Sequence, residues 1–317
     1  MSDRKARWGG ARRRAWGLLA FGALGCGADG WVLDSEAGVP PGALGDDPRP
    51  AAEGFVTLVP PRTAPPCRPD QYYVGRITGT LLDYTGRPVP EAQVALCGTA
   101  CIPGETDRSG RFDVRADACF GTSSEYAHGM ALSYSGFDLR PDVYFDFNPD
   151  DVRHMGEVHF NRPFYLSSFG PGGRVAAPPR VTQAVQLAND RGFALTVVPS
   201  TIEYPLSSTD EVVRVVQIPL SKLPPYTGPS PVVMYAISPA DATLRVPAPV
   251  EFPNTLGLAP GVEVEIVAVG NHASAGMPPV GVLGPIDVGR VSPDGRRVVA
   301  RSGLRFFGTV GYRTRPR

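Results

Sequence analysis

Proline sets the tightest limit on what this chain can fold into. The sequence holds 35 prolines in 317 residues, and its second half meets them at Pro199, Pro205, Pro219, Pro224, Pro239 and Pro253, among others. A proline inside a helix removes a hydrogen bond and clashes with the carbonyl four residues back, at a cost of roughly 3 kcal/mol. Few windows are left in which a long helix could survive. Apolar residues instead alternate with the period of two that a half-buried strand requires. Glycine is similarly frequent, at 37 residues, and supplies the turns between short strands. The expected fold class is all-β.

The stretch from Tyr72 to Cys119 carries this pattern most clearly. From Tyr73 to Leu82 the sequence predicts a strand with Tyr73, Ile77 and Leu81 on one face and Arg76, Thr78 and Thr80 on the other. Asp83–Pro88 is a turn in which Gly86 can take positive φ. Ala92, Val94 and Leu96 then alternate with Gln93, Ala95 and Cys97. A second turn, Thr106–Gly110, opens onto Phe112 and Val114, which alternate with Arg111, Asp113 and Arg115.

The residues V-G-R-I-T-G from Val74, D-Y-T-G-R-P-V-P from Asp83, V-A-L-C from Val94 and T-D-R-S-G-R-F-D-V from Thr106 occur in that order. Their order resembles the carboxypeptidase regulatory-like domain, a small transthyretin-like β-sandwich. Met155–Phe160 is similar to the closing strand of such domains, so the resemblance spans residues 68–162. It implies an accessory module that stiffens, spaces or presents other parts of a secreted or surface protein. It brings no catalytic residues with it.

The N-terminus follows the three-part logic of an export signal. Arg4, Lys5, Arg7 and Arg12–Arg14 precede an apolar run from Trp16 to Leu24 that is too short to span a bilayer. Ala23-Leu24-Gly25-Cys26 resembles the bacterial lipoprotein cleavage box, which implies lipidation at Cys26 after removal of residues 1–25. Ala23 stands where that pattern usually has leucine. Gly27 lacks the aspartate that retains enterobacterial lipoproteins on the inner membrane, which implies the outer membrane. Residues 26–66 are rich in Pro, Gly, Ala and Asp without periodicity and read as a tether. About 40 flexible residues span roughly 35 Å.

Four cysteines follow: Cys67, Cys97, Cys101 and Cys119. In an exported domain they suggest two disulfides, with three connectivities open. The favoured one joins Cys97 to Cys101 and Cys67 to Cys119.

Gly170–Gly173 marks a boundary between a first sandwich at 67–165 and a second at 175–317. Val181–Asn189 is expected to form a short helix, with Val181, Val185 and Ala188 on one face. Strands are expected at 193–198, 212–218, 232–237, 262–269, 298–300 and 306–310. Pro247–Val264 and Gly289–Gly295 resemble a β-rich module of bacterial surface proteins and, more distantly, the interaction sandwich of netrin-receptor and tight-junction proteins. This likeness implies a binding or structural module. Some eukaryotic relatives self-cleave at His-Phe-Ser. Here His159-Phe160 precedes Asn161 in the other domain, so no self-cleavage is expected.

Candidate chemistry is sparse. Asp146, Asn148, Asp150 and Glu157 fall at positions 1, 3, 5 and 12 of a calcium-loop pattern, but Asp151 occupies the turn-glycine position and the flanks read as strands. His154, Glu157 and His159 offer a fragmentary zinc set in which only the last two share a strand face. His128, Ser133, Ser135 and Asp138 are the remaining suspects for a hydrolase. None of the nucleophile-elbow, zinc-helix, phosphate-loop or dinucleotide motifs occurs. Six of the 31 basic residues but one of the 31 acidic ones lie in the first 25 positions. The rest is mildly acidic and gives no electrostatic case for nucleic acid.

These readings converge on a non-enzymatic envelope lipoprotein without cofactors, held to the membrane by its lipid and contacting an envelope or extracellular protein. A carbohydrate-binding module is the alternative, with Tyr72, Tyr84, Tyr126 and Tyr134 as candidate platforms for a glycan.

Overall fold

The computed structural model describes residues 53–135, 142–148, 150–166, 168–169, 173–188, 192–205, 211–272 and 277–315. The described residues form no α-helix, only short 3-10 turns at Pro199–Thr201 and Leu220–Lys222. The rest is strand and turn, as the proline spacing requires.

The first half contains β1 (Val56–Val59), β2 (Tyr72–Leu82), β3 (Gln93–Cys97), β4 (Cys101–Glu105), β5 (Arg111–Phe120), β6 (Ala131–Ser135), β7 (Val143–Phe145), β8 (His154–Phe160) and β9 (Phe164–Tyr165). One sheet runs β1-β8-β2-β5, with β9 continuing alongside β2; the other runs β4-β3-β6-β7. Their inner faces bury Ile77, Leu81, Val94, Leu96, Leu132 and Val158 completely. Each such side chain contributes about 1.5–3 kcal/mol by leaving water.

Both expected turns are closed by an aspartate, Asp83 at the start of the first and Asp107 one residue into the second. The Asp83 carboxylate accepts the N–H groups of Thr85 (2.8 Å) and Arg87 (2.9 Å), and Asp107 those of Ser109 (2.8 Å) and Arg111 (3.0 Å). Gly86 and Gly110 sit at φ 85° and 73°, where a side chain would be strained. The repeated D-x-(T/S)-G-R signature is thus a local hydrogen-bonding device.

Three expectations are corrected. Alternation in β2 does not run unbroken, because Val74 and Ile77, three apart, are both fully buried, as are Met155 and Val158 on β8. Pairing of β2 with β5 is irregular between Val74 and Arg76, where one residue faces two. Asp117 in the bulge adopts φ 42°. Tyr73 therefore faces away from the core that Ile77 enters.

The tether also ends earlier than Pro66. Phe55 is 3% exposed and packs edge-on against Phe145, Phe160 and Phe164 at 5.2–6.0 Å. That anchor holds β1 antiparallel to β8.

The expected helix at 181–189 is absent. Val185–Ala188 is a strand, β11, which pairs with Ala194–Val197, β12; Leu187 is buried while Gln186 and Ala188 are exposed. The period there is two, and the sheet partner supplies the backbone hydrogen bonds that a lone helical turn lacks.

The second half continues with β10 (Arg174–Ala176), β13 (Ile202–Glu203), β14 (Val212–Ile218), β15 (Val233–Ser238), β16 (Thr243–Ala248), β17 (Val250–Pro253), β18 (Glu263–Val269), β19 (Leu283–Val291), β20 (Arg297–Ala300), β21 (Leu304–Phe306) and β22 (Thr309–Thr314). Ten strands form one sheet, β10-β14-β15-β22-β18-β19-β20-β17-β12-β11, and β13-β16-β21 a smaller one. Phe193, Tyr235, Phe252 and Tyr312 stack through its core, with neighbouring centroids 4.5–6.1 Å apart.

The two halves share a core. Ile218, Leu223, Tyr226, Met234, Val267, Val280 and Leu283 from the second half are buried in the same cluster as Phe145, Phe160 and Leu166 of the first. Hydrogen bonds cross with them. The Asp146 N–H donates to the Gly281 carbonyl (3.1 Å) and the Val280 N–H to that of Glu125 (2.7 Å). The Tyr226 hydroxyl donates to the Tyr144 carbonyl (3.1 Å), and the Tyr144 hydroxyl to Asp241 (2.6 Å). A Cβ at Gly281 would lie 2.6 Å from the carbonyl carbon of Phe145, so only glycine permits this approach.

Disulfides join Cys67 to Cys119 and Cys97 to Cys101, over separations of 52 and 4 residues. Loop-closure entropy assigns about 4 kcal/mol to the longer loop and about 2 kcal/mol to the shorter. The Cys67→Ser/Cys119→Ser pair is therefore expected to lower the denaturation midpoint more than the Cys97→Ser/Cys101→Ser pair. Equal losses in urea unfolding would contradict that ordering.

Candidate functional site

A broad cleft lies where the alternation slips. After β1 the chain crosses the β8-β2-β5 face as a proline-rich strap, Pro60–Pro66, and is pinned at its far end by the Cys67–Cys119 disulfide. Gly156 lets it lie close, since a Cβ there would sit 2.7 Å from the Pro61 Cα, and Gly75 admits Gly156 in turn, since a Cβ on it would strike the Gly156 carbonyl. Between strap and sheet is a cleft of about 610 Å³, lined by Arg62 of the strap with Tyr73, Arg76, Arg115, Asp117 and Glu157. That volume lies within the range of small-ligand sites.

Most charges in this lining are already matched. Arg76 grips Asp113 through two bonds, Nε to Oδ1 at 2.7 Å and Nη2 to Oδ2 at 2.6 Å. This fork holds the Asp113 carboxyl below its ordinary value and raises the guanidinium. The Tyr73 hydroxyl donates to Asp117 (3.0 Å), and its phenol is raised by burial and then by that bond. Glu157 pairs with His159 Nε2 at 2.8 Å, whose Nδ1 meets the Thr78 hydroxyl at 2.8 Å. Arg62 and Arg115 are exposed, and neither side chain makes a hydrogen bond or ion pair among the described residues, although Arg115 adds to the positive charge that holds Asp113 low.

A second polar cluster gathers behind Tyr72. His128 Nδ1 lies 2.6 Å from Asp146 Oδ2, the Tyr72 hydroxyl donates to Asp151, and the Arg153 guanidinium stacks 4.8 Å from the Tyr72 ring centroid. Asp146 is buried, and burial raises its carboxyl above the usual range against the opposing pull of the Asn148 N–H and His128. The groups hold one another and the neighbouring β-strands. Asp146 reaches the second half through its own N–H.

The structure does not assemble the calcium loop. Asp146 is held by His128, the Asn148 side chain folds back onto both backbone groups of Val152 (2.9 Å each), and Glu157 turns to His159. No group of three or more His, Cys, Asp or Glu among the described residues is placed to hold a metal. That leaves the His154–Glu157–His159 set as a Glu–His pair with no third ligand. Ser133 donates to the Ala95 carbonyl (3.4 Å), away from the His128–Asp146 pair; Ser135 follows on the same strand, and Asp138 lies outside the described residues. Cys26 also lies outside them. Tyr72, Tyr126 and Tyr134 are 4%, 5% and 1% exposed, and Tyr84 is half-buried against the first core, so they offer no stacking platform for a sugar.

Arg62, Arg115, Asp241 and Gly281 were not legible as site residues. The local signal is the proline run of the strap, with Gly156 placed to admit it.

No family model matches the chain, and neither does any curated protein. A solved structure of a DUF3823 family protein from Bacteroides ovatus is similar over 74% of this chain and 98% of its own, at 10% identity and a TM-score of 0.19. At that score the likeness carries no argument.

A carboxyl raised above its unfolded value favours the protonated form of the fold, so its contribution is present at acid pH and is lost as pH rises through the folded value. Relative to Asp146→Asn, the wild-type protein is expected to lose stability as pH rises from about 4. Parallel stability–pH curves for the two proteins would contradict the assignment.

Proposed function

We propose that this chain is a non-enzymatic cell-envelope protein that presents a protein-binding surface from a rigid pair of β-sandwiches. In this reading residues 1–25 are an export signal, Cys26 carries lipid, and the segment from Cys26 to the start of β1 holds the block off an outer-membrane surface. Residues 68–162 act as a carboxypeptidase regulatory-like module, in keeping with a two-sheet sandwich whose turns carry the D-x-(T/S)-G-R signature.

One observation carries the proposal. The polar groups with the chemistry for a reactive centre instead hold the fold together: His128 binds Asp146, Tyr144 binds Asp241, and Asp146 bonds Gly281 across the two halves. A catalytic site needs a base aimed at a nucleophile and room for a reacting atom beside it. Here His128 is aimed at a buried carboxylate. A shared apolar core between halves suits a spacer or presenting element, because interfaces that large and apolar suppress hinge motion.

Fractionation of cells expressing Cys26→Ala tests the anchor. The variant is expected in the soluble fraction, with the wild type in the membrane fraction and neither turning over a broad panel of esters and peptides. Unchanged partitioning, or hydrolysis abolished by His128→Ala, would overturn the proposal.

A further inference from the structure

We propose that the cleft beneath the proline strap binds a carboxylate-bearing peptide segment, with the Arg62 and Arg115 guanidiniums holding its acidic groups. The inference starts from the charge pairing around the cleft. Arg76 is committed to Asp113, Asp117 accepts from Tyr73, and Glu157 is paired with His159. The two remaining arginines, one on the strap and one on β5, make no side-chain hydrogen bond or ion pair among the described residues, although the charge of Arg115 helps hold the Asp113 carboxyl low. A guanidinium presents five donors in a planar fork that fits a carboxylate through two parallel bonds. Two such forks facing one concavity select a ligand with more than one carboxylate.

The walls favour a peptide over a saccharide. Pro60, Pro61, Pro65 and Pro66 supply apolar rings and backbone carbonyls but no N–H groups. The strap can therefore accept hydrogen bonds from peptide N–H groups and cover aliphatic stems. Tyr73 is the one aromatic side chain in the lining, and its hydroxyl is engaged by Asp117, so the stacked rings that usually hold sugars are missing from the cleft. The paired Asp117 and Glu157 repel a ligand carboxylate from their own ends, which directs acidic groups toward Arg62 and Arg115. The cleft exists because Gly156 permits the strap's close approach, Gly75 leaves room for Gly156 beside it, and the Cys67–Cys119 bridge fixes the strap's end. The site is thus built by the fold before any ligand arrives, and less ordering entropy opposes binding.

This inference deepens the presenting role above and rests on it only for choosing a polypeptide ligand. Fluorescence anisotropy of the purified full chain with a labelled hexaglutamate peptide, at low ionic strength, tests it. Saturable binding is expected, weakened about tenfold or more by Arg62→Gln and by Arg115→Gln, unaltered by Arg290→Gln in the second half, and absent for hexaglutamine. Gly156→Ala, which displaces the strap, is expected to weaken binding as well. Both cleft arginines are exposed, so their variants should melt like wild type. Failure to bind hexaglutamate, equal binding of hexaglutamine, an equal loss in Arg290→Gln, or capture of an oligogalacturonate with no peptide binding would each overturn the assignment. Normal Cys26-dependent membrane partitioning alongside any of these results would sink the cleft alone and leave the envelope role standing.

Discussion

The shared apolar core, in which Phe145 and Tyr144 of the first half are buried with Tyr226, Val280 and Leu283 of the second, governs the rest of the molecule. Phe145 lies at the end of the short edge strand β7, and its ring meets Tyr226 edge-on at 5.9 Å. Without that contact β7 would expose three buried residues in a row, and the first sandwich would have an open apolar edge. Such an edge invites pairing with another chain. Here the second half covers it, and the Asp146–Gly281 and Tyr226–Tyr144 bonds satisfy the backbone groups that burial strips of water. Two β-sandwiches joined only by a linker would be expected to move independently; these share side chains.

The opposite face of the first sandwich is governed by backbone sterics. Gly75 and Gly156 lie side by side where β2 and β8 both slip their alternation, and the bulge at Asp117 absorbs the extra residue of β5. A strap with four prolines in seven residues brings few N–H donors to the crossing, and so asks little of the sheet's hydrogen bonds. The disulfide then fixes the strap's end, so the feature that stabilises the first half also defines its cleft. Fold and candidate site rest on the same few residues.

Much of the architecture was legible because strand periodicity is a local property. Val212–Ile218 has in the structure the bounds its sequence predicts, and the two turns are legible from Gly86, Pro88 and the run Thr106–Gly110, though the closing role of Asp83 and Asp107 is not. The misreadings arose where tertiary contact overrode the local pattern. β1 was taken for tether because its one decisive residue, Phe55, finds its aromatic partners some ninety or more positions later. β11 reads as helix from sequence because Val181, Val185 and Ala188 fall at helical spacing across 181–189, and only pairing with β12 decides for the strand. β19 was missed since Gly284, Pro285 and Gly289 are poor strand formers; Gly289 is needed there because a Cβ would lie 2.6 Å from Ile266. The cleft was invisible for the same reason: Arg62 and Arg115 are ordinary exposed residues until the strap folds across the sheet.

Differential scanning calorimetry of the full chain tests the central claim that the two halves form one cooperative block through their shared core. A single endotherm with matching calorimetric and van't Hoff enthalpies is the result this account requires. Two separable transitions, with one sandwich melting while the other stays folded, would contradict it.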